Sequence, residues 1–471
     1  MSFPHWPGKL IHGLIRGKIM KKLTAAMWCI LGVGFVSVNG YAEVGLTVYN
    51  NDLALVKDVR QLDFKTGIDT LKFTDVAAAI DPTSVSFAVK DNPEGVQILE
   101  QNFQYDLVGA DRILAKYIDK TIQVVTKEDK LFEGTLLSVA GGLTLMEPDG
   151  SIRIIDREGV RDMSFPKLPE GLITRPTLVW LLDSDISGKH PGEVRYLTKK
   201  INWHAEYVAT VSANDTELNL AGWVSIDNRS GATYENAKLK LIAGDVHMVE
   251  ERRPWRPRAD EMYTMAMAAK RAPSFEEKAF FEYHLYTLTR PATVRDNETK
   301  QLSLFAPADV TTKKIFTFDG ARDGKKVRVN LEFKNSKEAG LGIPLPKGKI
   351  RVMKADEDGS LEFIGEDRID HTPKDEKVRV YLGNAFDIVG ERTVKDHRKV
   401  TKMITEEDIE VSLRNRKEEP VTITVIEHIW GDWEIRNPSV EYRKKDAYTA
   451  EFDVRVGADE EVTLTFTVRR K

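Results

Sequence analysis

Val327-Arg328-Val329-Asn330-Leu331-Glu332-Phe333 decides the fold class. Apolar side chains fall on every second position and polar ones lie between them. Successive side chains of a strand point to opposite faces, so this stretch reads as a strand with one buried face and one wet face. Phe452-Asp453-Val454-Arg455-Val456 repeats the pattern, and Val462-Thr463-Leu464-Thr465-Phe466-Thr467-Val468 repeats it with threonines. Leu218 and Leu220, then Val224 and Ile226, continue it. Turn pairs punctuate the runs: Asp149-Gly150, Asp319-Gly320, Asp323-Gly324, Asp358-Gly359 and Gly431-Asp432. Many short half-buried strands separated this way indicate an all-β chain of antiparallel β-sandwich domains with little helix.

One stretch departs from the sandwich pattern. Tyr105 to Tyr117 places Leu107, Ile113, Leu114 and Tyr117 on a rough helical face. Thr121 to Phe165 then holds short strand-like runs joined by Gly134, Gly141-Gly142 and Asp149-Gly150, and Pro166 and Pro169 close it. Five such strands bury a core only if the sheet curls on itself. The expectation is an inserted small β-barrel, SH3-like or Sm-like, with Leu131, Leu136, Leu143, Leu145, Ile152 and Ile154 inward.

The resulting division is a signal peptide over 1–42, an N-terminal β domain over 43–104, and the short helix plus small barrel over 105–169. A β-sandwich follows over 170–249, with an exposed linker or loop over 250–279. The sandwich continues over 280–384, and a C-terminal Ig-like β-sandwich occupies 385–471. The loop carries Arg252-Arg253-Pro254-Trp255-Arg256-Pro257-Arg258 and then Met262, Met265 and Met267 among alanines. The strands on its two sides are expected to share one sandwich, which makes the loop an excursion open to proteases and partners.

The N-terminal segment bears on compartment. Met20-Lys21-Lys22 is a short positive head, Leu23 to Val38 carries no charge, and Gly40-Tyr41-Ala42 offers small residues before Glu43. This reads as a secretory signal with cleavage between Ala42 and Glu43. Residues 1–19 read either as a long signal head or as sequence upstream of a true start at Met20, and the second reading is preferred. The expected location is the periplasm or the exterior. Cys29, the one cysteine of the chain, lies inside the apolar run, so the mature part holds neither thiol nor disulfide. No later apolar run is long enough to span a bilayer.

Five of the 69 basic residues and none of the 73 acidic ones fall in 1–42, so the remainder has a formal charge of −9. An acidic, evenly mixed chain argues against nucleic acid, whose phosphates call for a basic face.

Motifs that carry chemistry are scarce. There is no G-x-S-x-G elbow and no H-E-x-x-H helix. Gly342-Ile343-Pro344-Leu345-Pro346-Lys347-Gly348-Lys349 has the wrong spacing for a phosphate loop, and its prolines lack the needed N–H groups. Asp356-Glu357-Asp358-Gly359 resembles a calcium loop, but its first and twelfth positions would be Lys354 and Gly365, which supply no side-chain carboxylate. It reads as a hairpin turn. His190, His204, His247, His284, His371, His397 and His428 show no metal-ligand spacing. Lys395, His397, Arg398, Lys399 and Lys402 read as a charged strand edge. Trp430 and Trp433 flank Gly431-Asp432, and either expose paired rings to a sugar or pack into a sandwich.

The chain resembles a bacterial family, domain-of-unknown-function family 4139, over most of 43–471. The resemblance rests on Phe281-Glu282-Tyr283-His284-Leu285-Tyr286-Thr287-Leu288-Thr289-Arg290-Pro291 followed by Glu298-Thr299-Lys300-Gln301. It rests also on Trp203-His204-Ala205-Glu206-Tyr207, Asn228-Arg229-Ser230-Gly231, Pro344-Leu345-Pro346-Lys347-Gly348 and Gly383-Asn384-Ala385-Phe386-Asp387. The family brings no established catalytic residues. Some similar proteins are named mucoidy-inhibitor-like, which implies envelope or exopolysaccharide biology. Those usually carry a coiled coil where this chain has the small barrel.

The expected function is that of an exported envelope protein, a non-catalytic β-sandwich scaffold or binding protein with a protein or glycan partner. The alternative is an exported hydrolase of envelope polysaccharide whose carboxylate pair comes from distant strands. No catalytic, cofactor or metal residue is assigned. Trp255, Trp430 and Trp433 are the candidate binding surface.

Overall fold

The computed structural model describes residues 43–244, 246–248, 275–356 and 358–471. The signal-peptide reading, Ala42 included, lies outside the described residues. So does most of the expected loop, with Trp255 and the three methionines. Among the described residues no helix is long and apolar enough to cross a membrane.

The chain is nearly all strand, as the alternation requires. It opens with β1 (Glu43–Tyr49), β2 (Leu53–Phe64), β3 (Gly67–Thr74), β4 (Ser86–Val89) and β5 (Val96–Gln104). Helix α1 (Ala110–Lys116) leads into β6 (Thr121–Thr126), β7 (Leu131–Ser138), β8 (Leu143–Met146), β9 (Ile152–Ile155) and β10 (Val160–Ser164). Then come β11 (Thr177–Ser184), β12 (Gly188–Lys199), β13 (Ile201–Val211), β14 (Glu217–Asn228) and β15 (Tyr234–Ala243). After residue 274 follow β16 (Phe275–Phe280), β17 (Tyr283–Leu288), β18 (Ala292–Val294), β19 (Glu298–Phe318), β20 (Lys326–Lys334), β21 (Gly348–Ala355) and β22 (Leu361–Ile369). The last are β23 (Lys377–Lys399), β24 (Thr405–Asn415), β25 (Val421–His428), β26 (Trp433–Arg436), β27 (Tyr442–Asp446), β28 (Thr449–Val456) and β29 (Glu460–Arg470).

Among the described residues there are four sheets, and three of them have the orders β16-β17-β15-β1-β2-β12-β4, with β18 also on β15; β3-β11-β5; and β10-β6-β7-β8-β9. The fourth and largest runs β22-β21-β13-β14-β19-β20-β23-β24-β29-β26, with β25 branching from β19 and carrying β28 and β27. The segments 43–104 and 170–249 share sheets: β12 pairs β2 along its whole length, and β11 lies between β3 and β5. The expected linker over 250–279 is corrected at its end, because residues 275–280 form β16, paired with β17, and Phe275 is buried. Strands β15 and β17, on either side of the expected excursion, pair with each other.

Three cores result. The largest runs from Leu46 to Val380 and buries Trp180, Trp203, Tyr196 and Tyr207. Trp180 meets Phe87 at 4.9 Å and Phe73 edge-on at 6.1 Å. A second core around Phe318, Phe452 and Phe466 belongs to the C-terminal sandwich. Strands β19, 21 residues long, and β23, 23 residues long, run through both. β19 pairs β14 along its first part, and β20 and β25 along its last.

The third core belongs to β6–β10 and α1. Here the expectation of a small barrel is corrected: β10 and β9 stay at opposite edges and the sheet does not close. Leu136, Leu143 and Leu145 are inward as expected, while Leu131, Ile152 and Ile154 are exposed at 62%, 66% and 72%. Alternation explains the error. Leu131 and Leu136 differ by an odd number, so one strand cannot face both inward. In β9 the ladder sets Ile155 opposite Leu143 and Arg153 opposite Leu145, which turns Ile152 and Ile154 outward. The helix is shorter than the pattern suggested, with Leu114 and Tyr117 buried under it and Tyr105 exposed.

Buried polar groups on β13 and β14 tie neighbouring segments together. Trp203 Nε1 donates to Ile242 O at 3.1 Å, and Tyr207 Oη donates to Pro346 O at 2.7 Å. Buried Asn228 donates to Ala232 O and Arg295 O. Each tie satisfies a polar group that burial would otherwise penalise.

Candidate functional site

The largest sheet curls until its first strand meets its seventh. No ladder joins β22 to β23; instead Tyr381 N donates to the Asp367 carboxylate at 2.8 Å. Gly365 permits the approach, since a Cβ there would lie 2.6 Å from Leu382 O. At one end of the concave face is a cavity of about 230 Å³ with apolar walls from Val211, Val329, Leu331, Ile364 and Leu382.

Three charged groups stand at this mouth. Lys314 continues the face of Val310 and Thr312 on β19, both buried. Lys354 continues the face of Ile350 and Val352 on β21. Asp215 comes from the turn between β13 and β14 with φ of 59°, in the left-handed region. That turn is held locally: Asn214 Oδ1 accepts from Ser212 Oγ at 2.8 Å and Thr216 Oγ1 at 2.9 Å, and Asp215 N donates to Ser212 O at 3.1 Å. Both lysine ammonium groups bond Asp215, each at 2.5 Å, one to each carboxylate oxygen. Burial pushes the Asp215 carboxyl up, but the hydrogen bonds and charges of Lys314 and Lys354 outweigh it and hold the pKa below the ordinary aspartate range.

This arrangement holds a carboxylate ionised between two ammonium groups. Asp215 is the one carboxylate of the lining and is held ionised. A glycoside-hydrolase pair needs two facing carboxyls, one with a raised pKa. Among the described residues every carboxylate with a perturbed pKa is lowered, as at Glu193, Glu206, Glu332, Glu407 and Glu451. Glu206 and Asp227 flank His204 at 3.6 and 3.8 Å on the outer face of the sheet. Glu206 is lowered by the His204 hydrogen bond against its burial, with Arg351 adding to the effect. A second cavity, between α1 and the five-stranded sheet, is walled by Leu114, Leu143, Val160 and Met163, with the Asp111–Arg157 pair also in its lining. No group of three or more His, Cys, Asp or Glu among the described residues is placed to hold a metal ion.

The expected binding tryptophans separate. Trp433 is buried at 8% exposure, donates from Nε1 to Ala447 O at 2.7 Å and packs into the C-terminal core. Trp430, at 72% exposure, tilts against half-exposed Tyr448 with ring centroids 5.2 Å apart. Glu43 begins β1 and pairs with Lys238 at 2.8 Å. The basic cluster at 395–399 faces acids of β24, with Lys395 on Glu410, His397 on Glu407 and Arg398 on Asp408.

The sequence reading missed Asp215, Lys314 and Lys354. A signal existed: each lysine occupies an alternation position where the strand otherwise places apolar or small residues. What alternation does not give is the partner, since Lys354 and Asp215 are 139 residues apart. A scan of family models and a search of curated proteins each return no match for this chain.

Proposed function

We propose that this chain is an exported, non-catalytic protein of the bacterial envelope that binds a glycan or protein partner through the end of its C-terminal sandwich. The carrying observation is the Trp430–Tyr448 pair, two rings 5.2 Å apart and open to solvent. The C-terminal core is filled by Trp433, Phe452 and Phe466 without them. Large rings with one apolar face and a polar edge are the side chains that stack on sugars and anchor protein contacts. The signal-like segment at 20–42 supports export. Each of the two cavities described above is lined by a single carboxylate, Asp215 in one and Asp111 in the other, which favours binding over hydrolysis there.

Residues 43–471 immobilised as bait in envelope extract test this reading. Wild type is expected to enrich a discrete partner, and Trp430→Ala is expected to lose at least about fivefold of it, a typical cost for a central aromatic contact. Equal enrichment by both proteins overturns the reading.

A further inference from the structure

We propose that the mouth of the curled sheet binds a small monocarboxylate with an apolar body, held by Lys314 and Lys354 and shaped by Val211, Leu331 and Leu382. The inference is independent of the aromatic pair on the C-terminal sandwich.

Charge is the first ground. Two ammonium groups and one carboxylate line the cavity, so the lining carries one surplus positive charge. Each ammonium has three donors and gives Asp215 only part of them. The lysine side chains are 29% and 31% exposed, so neither is fully enclosed by its partner. Glu362 lies across the ladder from Lys354, but it accepts from Ser360 Oγ at 3.2 Å and does not line the cavity. Asn384 is also in the lining; its side-chain oxygen accepts from Tyr381 Oη at 3.3 Å, which leaves its amide NH2 as a further donor.

Shape is the second ground. Inward lysines at the end of an apolar concave face are costly to desolvate and are placed where a chain seeking only stability would set leucine or valine. Asp215 offsets one charge and leaves the other for a guest. A cavity of about 150 Å³ takes a benzene ring, so this one, at about 230 Å³, has room for a ring or short chain with its carboxylate. Mouths of curled sheets with apolar walls and a few convergent polar groups are where small ligands bind. A polyanion would meet only one surplus charge, and a neutral ligand would leave that charge unused.

The test is calorimetric titration of residues 43–471 with sodium hexanoate, hexanol and hexylamine. Hexanoate is expected to bind saturably with Kd on the order of 1 mM or tighter, given its few atoms. Hexanol is expected to bind about tenfold more weakly, and hexylamine not at all, since each lacks the anionic group that meets the lysines. Lys314→Met with Lys354→Met should abolish hexanoate binding. A variant that gains affinity guards against loss by misfolding. Asp215→Asn keeps the turn, because asparagine tolerates positive φ, and raises the surplus to two charges. It should tighten hexanoate about fivefold by removing a competing carboxylate. Absence of saturable hexanoate binding overturns the proposal. So does equal binding of hexanol or hexylamine, or an Asp215→Asn protein that binds hexanoate no more tightly than wild type.

Discussion

Asp215 carries a charge to the end of an apolar concave face from a turn whose conformation its own residue type tolerates. Its folded pKa is depressed, so its contribution to stability is fully present above the ordinary aspartate range. That contribution is lost as pH falls through the folded value. Asp215→Asn should therefore cost about 1 kcal/mol at pH 6 and progressively less as the pH falls below the ordinary aspartate range. Urea unfolding of both proteins from pH 6 down through the acid range checks this, and a cost that does not fall with pH would show that the carboxylate is not held ionised. The two tryptophans give a second residue-scale contrast. Trp433→Ala empties a buried site and should destabilise by about 3 kcal/mol. Trp430→Ala removes an exposed ring and should stay within about 0.5 kcal/mol of wild type. Thermal melts of the pair separate the two outcomes.

At the scale of elements, the alternation of 327–333 and 452–468 identified strands correctly because one face of each is buried and the other wet. The same rule misassigned Leu131, Ile152 and Ile154, where short strands leave the parity undetermined until the partner is known. Arg153 illustrates the difficulty. It shares the face of Ile155, where its guanidinium lies 4.5 Å from the Phe132 ring, so a charged residue takes an inward-parity position. The five-stranded sheet is an insertion with adjacent ends: Val108 N donates to Ile173 O at 2.9 Å, and Ile173 N donates to Asp106 O at 3.1 Å. Its core is separate from the other two. Replacing 109–171 by a short Gly-Ser link should leave the remaining sheets folded, with Tm lowered by no more than about 5 °C. Far-ultraviolet circular dichroism and a melt of the shortened protein check this. Loss of the cooperative transition would show that the insertion is needed to fold the rest.

Over the whole molecule, pairings were the part that sequence could not supply. Alternation tells which face of a strand is buried, not which of many strands lies beside it. Thus the sharing of sheets between 43–104 and 170–249, and the convergence of Asp215, Lys314 and Lys354, appear only in the fold. Strands β19 and β23 thread both large cores, which makes their unfolding a joint event. Phe452→Ala, in the second core, should lower one calorimetric transition as a unit; a separate early transition would mean that the C-terminal sandwich melts alone.

Binding without cleavage is the function proposed for this molecule. Incubating residues 43–471 with isolated envelope polysaccharide and protein, and following retention and release of reducing ends together, tests it most directly. The account predicts retention that depends on Trp430, with no release of reducing ends above a protein-free control. Release that grows with time and protein concentration, and survives Trp430→Ala, would contradict it.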